Sequence, residues 1–259
     1  MIDNHDVKPP DPVDYLDQVA ASAPGRAYKR RILRRLGLRP GQTVVDLGCG
    51  PGTDLGAMAD AVAPDGRVIG VDHDPAMLAE ARARLEGRPG VEIRAGDVHA
   101  LPLDDGSVDR ARTDRVLQHV EDPSRVLAEF RRVARPGGRI VMAEPDWDGL
   151  LVDSRDTAMS RRLTRFVTTE RIRNAAVGRG LARMCEEAGL SVLSVTAVTP
   201  VFRDFDTADR MLGLRRTVVR ATRAGALGPA AAEEWIEELR SGPFLASFLL
   251  FLVTAEAPG

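Results

Sequence analysis

The chain has 259 residues, of which 44% are hydrophobic and 29% charged, so it can bury the core of a single α/β domain. Lys plus Arg number 36 and Asp plus Glu number 38, which gives a formal net charge of -2. This balance lacks the basic excess of nucleic-acid-binding proteins, so we expect no nucleic-acid partner. Lysine occurs only at Lys8 and Lys29, and this preference for arginine indicates a GC-rich, bacterial genome.

No segment of the sequence has the pattern of a signal peptide or a membrane span. Met1 to Pro12 is acidic and Pro-rich, whereas a signal peptide begins with basic residues and an apolar run. The most apolar stretch, Phe244 to Val253, is shorter than the roughly 20 residues that cross a bilayer. Two cysteines, Cys49 and Cys185, are too few for a disulfide framework. We therefore expect a cytoplasmic protein without a membrane partner.

Strands and helices are predicted to alternate through the first half of the chain. Residues 1 to 12 look like a loose arm, and Asp14 to Leu36 is predicted to be helical with an interruption near Pro24 and Gly25. Short apolar runs predict strands at Thr43–Leu47, Arg67–Asp72, Val91–Ala95, Val108–Thr113 and Arg139–Ala143. Helices are predicted at Thr53–Val62, from Pro75 to Gly87 and from Pro123. This alternation is typical of a parallel sheet with helices on both faces.

The alternation breaks after Glu144. Residues 146–174 form an unusually long connection, partly helical because the apolar residues Met159, Leu163, Phe166 and Val167 share one face. Beyond it, helices are predicted at Gly178–Ala188, Asp206–Arg223 and Pro229–Arg240, and strands at Leu190–Phe202 and Phe244–Thr254.

A glycine turn follows the first predicted strand. Gly48, Gly50 and Gly52 lie between that strand and a helix, the arrangement of a nucleotide-binding βα crossover. Their spacing is Gly-x-Gly-x-Gly, whereas the dinucleotide fingerprint is Gly-x-Gly-x-x-Gly. Asp46, just before the turn, would repel a pyrophosphate but suits a ligand with an ammonium group. S-adenosylmethionine carries such a group and no phosphate.

Acidic residues follow the next two predicted strands. Asp72 lies at the distance from the turn where an acid accepts hydrogen bonds from ribose hydroxyls, in NAD and in S-adenosylmethionine alike. His73 either lies against the adenine edge or is an ordinary loop residue. In the Gly96-Asp97-Val98 stretch, the Asp97 carboxylate can accept from the adenine amino group while the Val98 N–H donates to a ring nitrogen.

The sequence resembles the class I S-adenosylmethionine-dependent methyltransferases, especially the ubiquinone and menaquinone biosynthesis type and related small-molecule methyltransferases. The matching stretches are Val44–Gly52, Val68–Asp72, Gly96–Leu103, Val116–Pro123 and Leu127–Glu144. The resemblance is strong over residues 40–145 and continues weakly to residue 190. It implies a Rossmann-like, mostly parallel seven-stranded sheet in which Phe244–Thr254 is the one antiparallel strand.

The resemblance also implies how one domain, 1–259, is divided. We expect an N-terminal arm and helical lid at 1–38, a cofactor-binding core at 40–145 and an insertion at 146–177. The C-terminal half of the sheet would follow at 178–259, with a helical insertion at 206–240.

The cofactor residues implied by the resemblance lie at the strand ends. The glycines would line the methionine part, and Thr113 would face the sulfonium end. The expected set is Asp46, Gly48, Gly50, Gly52, Asp72, His73, Gly96, Asp97, Val98, Thr113 and Gln118. Two features depart from the family: the fourth strand is rich in arginine, and Gln118-His119 stands where a double His is commoner.

Methyl transfer from a sulfonium is an in-line displacement, for which alignment can supply about 7–11 kcal/mol of barrier lowering. A base is needed only if the acceptor must lose a proton. His119 is the first candidate base, because the pKa of histidine is near neutrality. The alternative for His119 is that it caps or packs beside the cofactor. His99 and Asp146 are the other candidate bases. Candidate acceptor contacts, each of which could instead be simple packing, are Tyr15, Tyr28, Asp146, Trp147 and Phe166.

The leading hypothesis is methylation of O, N or C of a small metabolite, possible in bacterial secondary metabolism, with S-adenosylhomocysteine as product. One rival is a protein that uses S-adenosylmethionine without methyl transfer, and a weaker rival is an NAD-dependent dehydrogenase. His5, His73, His99 and His119 lack the spacing of metal ligands, so we expect no metal. The sequence is compatible with a monomer or a homodimer.

Overall fold

The computed structural model describes residues 11–259, so most of the predicted loose arm, including His5, lies outside the described residues. The helices are α1 Pro12–Ala21, α2 Ala23–Leu36, α3 Leu55–Val62, α4 Pro75–Arg84, α5 Pro123–Val133, α6 Thr157–Phe166, α7 Val177–Glu187, α8 Phe205–Leu212, α9 Leu214–Arg223 and α10 Pro229–Ser241. The strands are β1 Thr43–Leu47, β2 Arg67–Asp72, β3 Val91–Ala95, β4 Val108–Asp114, β5 Ala134–Val152, β6 Ser191–Val198, β7 Val201–Phe202 and β8 Ala246–Glu256. A π-helical turn, Val167–Arg171, follows α6 directly.

The strands form one sheet in the order β3-β2-β1-β4-β5-β8-β6, with the short β7 beside β8. Strands β1 to β5 pair in parallel, and β8 is antiparallel to both β5 and β6. The predicted fold, a mostly parallel sheet with one antiparallel strand among seven, is confirmed, and β7 is an additional strand. Leu47 lies opposite both Val71 and Thr113, so the segments that follow β1, β2 and β4 meet at one edge.

The central strands are buried on both faces, which explains their continuous apolar sequences. Val44 and Val141 belong to one cluster of buried side chains, whereas Val45 and Met142 belong to a second. Successive residues of a strand point to opposite faces, so the two clusters cover the two sides of the sheet.

Helices α4 and α5 begin at Asp-Pro pairs, with the prolines at the helix starts that the sequence predicts. The Asp74 carboxylate accepts hydrogen bonds from the N–H groups of residues 76 and 77, and Asp122 does the same for residues 124 and 125. Each proline occupies the first helical position, where no N–H partner is needed. These caps fix α4 and α5 next to the edge where the strand ends meet.

The N-terminal helical segment is interrupted at Ser22, slightly earlier than predicted. The Ser22 hydroxyl donates to the carbonyl of Val19 and accepts from the N–H of Gly25, so it ends α1 and caps α2. Pro24 and Gly25 therefore lie in the first turn of α2 rather than in the break.

The second half of the chain requires three corrections. Strand β5, predicted as Arg139–Ala143, continues to Val152 because its far end pairs with β8, so the first part of the predicted insertion is strand. The predicted strand Leu190–Phe202 is divided into β6 and β7 beside Pro200, which has no N–H to donate. The predicted helix Asp206–Arg223 is divided by Gly213, whose φ is +65°. No helix among residues 11–259 combines the length and apolar character needed to cross a membrane.

Candidate active site

A cavity of about 710 Å³ opens at the carboxyl edge of the parallel strands. Its walls come from α1 and from the residues that follow β1, β2, β3 and β4. It brings together many of the residues singled out from the sequence: Tyr15, Gly48, Gly50, Asp72, His73, Asp97, Val98, Gln118 and His119. A cavity at this edge is where open α/β sheets bind ligands.

The three glycines of the turn have different surroundings. All have positive φ, between +54° and +76°, where L side chains are disfavoured. A Cβ on Gly48 would lie 2.4 Å from Val116 Cγ2, and one on Gly52 would lie 3.1 Å from Leu85 Cδ1. Gly50 has only Leu16 Cδ1 near, at 3.3 Å. Gly48 and Gly50 line the cavity, whereas Gly52 packs against α4 and does not.

Asp72 connects the end of β2 to the glycine turn. Its Oδ2 accepts from the N–H of Gly50 at 2.8 Å, and its Oδ1 accepts from the N–H groups of His73 and Asp74 at 2.8 and 3.0 Å. A carboxylate offers about four acceptor positions. One position on Oδ2 therefore remains for a ligand hydroxyl in the cavity.

His99 positions Asp97 at the cavity wall. Its Nδ1 lies 2.7 Å from Asp97 Oδ1, and its Nε2 accepts from the N–H of Asp122 at 3.2 Å. The backbone N–H and the side chain of His99 lower the pKa of Asp97. Both ring nitrogens of His99 are thus occupied, which disfavours its use as a base. Gly96 does not line the cavity. It packs closely against Pro102, since a Cβ on Gly96 would lie 2.8 Å from Pro102 Cδ.

Glu144 and Asn174, which the sequence analysis did not assign to the site, fix the loop after β4. The fully buried Glu144 carboxylate accepts from the N–H groups of residues 116, 117 and 118 at 2.8, 2.8 and 3.3 Å. Asn174 Nδ2 donates to the carbonyls of residues 117 and 120 at 2.8 Å each. Burial raises the pKa of Glu144 to about 8, although the three N–H groups favour its charged form. Glu144 binds the N–H groups of the loop that carries Gln118 and His119, and Asn174 binds its carbonyl groups, so the loop backbone is fixed.

His119 lies on this fixed loop and faces the cavity. Partial burial in the cavity wall, followed by the charges of Arg115 and Arg171, lowers the pKa of His119 below its usual value of 6.5, although the side chain keeps contact with solvent. The imidazole is therefore neutral at pH 7 and can accept a proton or a hydrogen bond.

A buried cluster of charges occupies the space beneath the glycine turn. Arg112 Nε lies 3.2 Å from Asp46 Oδ1, and another nitrogen of Arg112 lies 2.9 Å from Asp54 and 3.3 Å from Asp114. Lys29 of α2 pairs with Asp54 and, at 3.1 Å, with Asp114. This explains the arginine in the fourth strand. Asp46, expected to face a ligand ammonium group, instead pairs with Arg112 and does not line the large cavity.

The cluster shifts the ionisation of its carboxylates in opposite directions. Burial raises the pKa of Asp46 to about 7, against the opposing charge of Arg112. Burial also acts on Asp54, but Arg112 and Lys29 outweigh it and lower the pKa of Asp54 to about 2. Burial acts on Asp114 as well, but the charges of Lys29, Arg115 and Arg112 outweigh it and lower the pKa of Asp114, so Asp54 and Asp114 are the anions of this cluster.

Thr113 was expected at the sulfonium end, but it is fully buried and lies outside the cavity lining. Asp114 and Arg115, the next two residues, reach the cavity instead. Arg115 has φ of +60°, the one positive φ among the non-glycine residues of 11–259. Strained backbone of this kind clusters at functional sites, and it distinguishes Arg115 from the neighbouring residues of the loop.

A narrow apolar pocket of about 30 Å³ lies beside the large cavity. Tyr28 and Trp147 line it, and the Trp147 ring stacks on Phe248 with centroids 5.4 Å apart. Trp147 Nε1 donates to Gln118 Oε1 at 2.7 Å, which connects this pocket to the loop after β4. Tyr15 and Arg115 line both the pocket and the large cavity, so the two spaces adjoin.

Two of the expected acceptor contacts lie elsewhere. Asp146 is 1% exposed, pairs with Arg179 and accepts from the N–H of Asp148 at 3.2 Å. Phe166 is buried with Met159 in the core. Neither lines the large cavity or the apolar pocket, because the Asp146 carboxylate is paired with Arg179 of α7 and the Phe166 ring packs in the core between α6 and the sheet.

A parallel sheet in this order, with its glycine turn and acidic strand ends around one cavity, defines a class I S-adenosylmethionine-dependent methyltransferase, as the sequence resemblance implies. Residues 38–188 match the family model of a methyltransferase domain. The chain therefore belongs to this family, is an enzyme of it, and uses S-adenosylmethionine.

Related proteins support this assignment. The chain is 53% identical over 248 residues to an uncharacterized 37.1 kDa protein in transposon TN4556 of Streptomyces fradiae, covering 96% of this chain and 72% of that one. It is 38% identical over 138 residues to a demethylmenaquinone methyltransferase of Beutenbergia cavernae, covering 52% of this chain and 55% of that enzyme. A SAM-dependent methyltransferase from Aquifex aeolicus has the same fold, with a TM-score of 0.58, 18% identity and coverage of 95% and 98%.

Proposed function

We propose that the enzyme transfers the methyl group to an oxygen, nitrogen or carbon of a small metabolite, as in bacterial secondary metabolism. The observation that carries this proposal is the contact between the large cavity and the apolar pocket. Tyr15 and Arg115 line both spaces, so a cofactor in one and an acceptor in the other would meet at these two residues.

The cavity residues fit S-adenosylmethionine. The free acceptor position of Asp72 suits a ribose hydroxyl, and the Gly50 backbone leaves room for the methionine part. Asp97, held by His99, and the Val98 N–H would bind the adenine. Arg115 and His119 line another part of the cavity wall and would face the acceptor.

S-adenosylmethionine, when bound, supplies a methyl carbon activated by the positive sulfur. An acceptor lone pair forms the new bond to that carbon while the carbon–sulfur bond breaks, and its electron pair remains on S-adenosylhomocysteine. The protein must align the two reactants, and the loop fixed by Glu144 and Asn174 does so. For an acceptor that must lose a proton, neutral His119 is the group that takes it.

Helices α1 and α2 would exclude water from the reacting atoms. The Tyr15 hydroxyl donates to the carbonyl of Met211 at 3.1 Å, which joins α1 to the end of α8. The Tyr28 hydroxyl donates to Asp114 at 3.2 Å, which joins α2 to the end of β4. These two contacts close the N-terminal helices over the cavity.

The test is incubation with isotopically labelled S-adenosylmethionine and a panel of phenols, carboxylates, amines and quinols, followed by mass spectrometry. We expect labelled methyl in a product and, in Trp147→Ala, a raised KM for the acceptor with unchanged affinity for S-adenosylhomocysteine. Trp147→Phe, which keeps an aromatic ring on Phe248, is the matched control. Consumption of S-adenosylmethionine that yields a converted acceptor without added methyl would contradict methyl transfer.

A further inference from the structure

Arg115 is held rigidly at the boundary between the two spaces. Its N–H donates to the carbonyl of Ala143 at 2.8 Å, and its own carbonyl accepts from Gln118 Nε2 at 3.0 Å. Its φ of +60° is unfavourable for a side chain of this size and persists only where surrounding contacts impose it. The backbone therefore fixes the point from which this side chain extends.

The Arg115 guanidinium is incompletely paired. Its Nε is buried and makes no hydrogen bond to a described residue, and the nearest carboxylate oxygen, on Asp114, is 3.6 Å away. That distance is too long for a hydrogen bond. Asp114 is also shared with Lys29 and Arg112. The Tyr15 side chain hydrogen-bonds Arg115, but no carboxylate does, so the positive charge of Arg115 is only loosely balanced within the described residues.

A second arginine, Arg171, is close enough to His119 and Tyr15 for its charge to interact with both. Arg171 donates to the carbonyl of Leu212 at 3.2 Å and to Thr217 Oγ1 at 2.6 Å, and within residues 11–259 it has no carboxylate within 4 Å. Burial, followed by the charge of Arg216, lowers the pKa of Arg171 to about 10. At neutral pH this charge persists without a carboxylate partner.

Arg115 is also the one charged residue, within the part of the chain that is described, that lines the apolar pocket. The remaining wall is mostly aromatic and aliphatic and includes Trp147, Phe202 and Phe248. Lys29 lines the adjoining space under the glycine turn, which Arg115 also borders, but Lys29 lines neither the apolar pocket nor the large cavity. The cation nearest the acceptor is therefore Arg115.

We propose that the methyl acceptor is a small molecule with an apolar body and one anionic oxygen group, and that Arg115 binds this group. The apolar body would enter the narrow pocket in part and extend into the large cavity. An anion at this place is stabilised only if a cation pairs with it, and the guanidinium of Arg115, which lines both spaces, would supply that pairing. The inference rests on the proposed function, because it assigns the chemistry of the same acceptor.

The test measures small probes binding to the full chain saturated with S-adenosylhomocysteine, by ligand-observed NMR titration. Benzoate and benzamide have nearly the same shape and differ in charge, and phenyl phosphate and phenol distinguish a phosphate or phenolate from a carboxylate. We expect at least one anionic probe to bind tenfold or more tighter than benzamide. Arg115→Gln should abolish this preference, and Arg115→Lys should restore part of it.

The matched control is Arg183→Gln, which removes an exposed arginine of α7 and should leave all probe affinities unchanged. Circular dichroism and the affinity for S-adenosylhomocysteine verify that each variant is folded. Equal binding of the charged and neutral probes, or equal weakening of the probes and S-adenosylhomocysteine in Arg115→Gln, overturns the inference. Methylation of neutral acceptors alone would also overturn it while leaving the proposed methyl transfer intact.

Discussion

Asp72→Asn tests the assignment of the cofactor site with almost no change of shape. The Asp72 carboxylate accepts three backbone N–H groups, two on Oδ1 and one, from Gly50, on Oδ2. If the amide oxygen keeps the two bonds of Oδ1, the amide nitrogen replaces Oδ2 and faces the Gly50 N–H. Two donors then oppose each other, and no acceptor remains there for a ribose hydroxyl.

The expected loss follows from one hydrogen bond to a charged acceptor, about 1.5–3 kcal/mol. At about 1.4 kcal/mol per tenfold change, this weakens binding of S-adenosylhomocysteine by about 10- to 150-fold. A moderate decrease of the melting temperature is also expected, because the turn loses its bond at Gly50. Replacement by alanine is less informative, since it removes all three backbone bonds at once.

Isothermal titration calorimetry measures the affinity, and Asp74→Asn is the matched control. Asp74 is the next acid in the sequence, it also lines the cavity, and asparagine caps a helix as well as aspartate does. The control should bind S-adenosylhomocysteine within about twofold of the wild type, well below the tenfold step of 1.4 kcal/mol. The reasoning is refuted if folded Asp72→Asn binds as tightly as the control.

Three further predictions address other parts of the site. Gly50→Val should abolish S-adenosylhomocysteine binding while circular dichroism stays near native, because a β-branched residue at φ of +54° displaces the turn; normal affinity would contradict this. Phe166→Ala should lower the free energy of unfolding by about 3–5 kcal/mol in urea titrations, with the affinity for S-adenosylhomocysteine retained, and an unchanged midpoint would argue against its core position. Since the pKa of His119 is below 6.5, its neutral form persists under mildly acidic conditions; the acid limb of kcat for a proton-losing acceptor should lie below pH 6.5 and disappear in His119→Gln.

The cofactor half of the site could be predicted because it depends on local sequence. Each of Gly48, Asp72 and Asp97 follows a strand of the parallel sheet, and parallel pairing brings such strand ends to one edge. The strands themselves were recognisable from short apolar runs. No knowledge of distant contacts was needed for these assignments.

The charged cluster could not be predicted in this way. Arg112 in a buried strand signals that a carboxylate must lie nearby, but the sequence does not tell which one. Its partners Asp46 and Asp54 come from a neighbouring strand and from the N-cap of α3, and Lys29 comes from α2. Such contacts depend on tertiary packing.

Two residues show how small local differences change an assignment. Thr113 is buried, whereas Arg115, two residues later, reaches the cavity, so the position at which β4 ends decides which side chain faces the ligand. For Phe166, an apolar stripe at helical spacing fits a ligand wall and a core equally well. Only the packing of α6 against the sheet identifies it as core.

The place of β8 in the sheet has a consequence for biosynthesis. It lies between β5 and β6, although it is the last strand of the described chain. On the ribosome, β5 and β6 are thus complete while their common partner is still missing, and each presents an open edge. β6 also exposes Leu193 and Val195. A nascent chain that stops before Ala246 has two unpaired edges and is expected to associate with other copies rather than form a smaller enzyme.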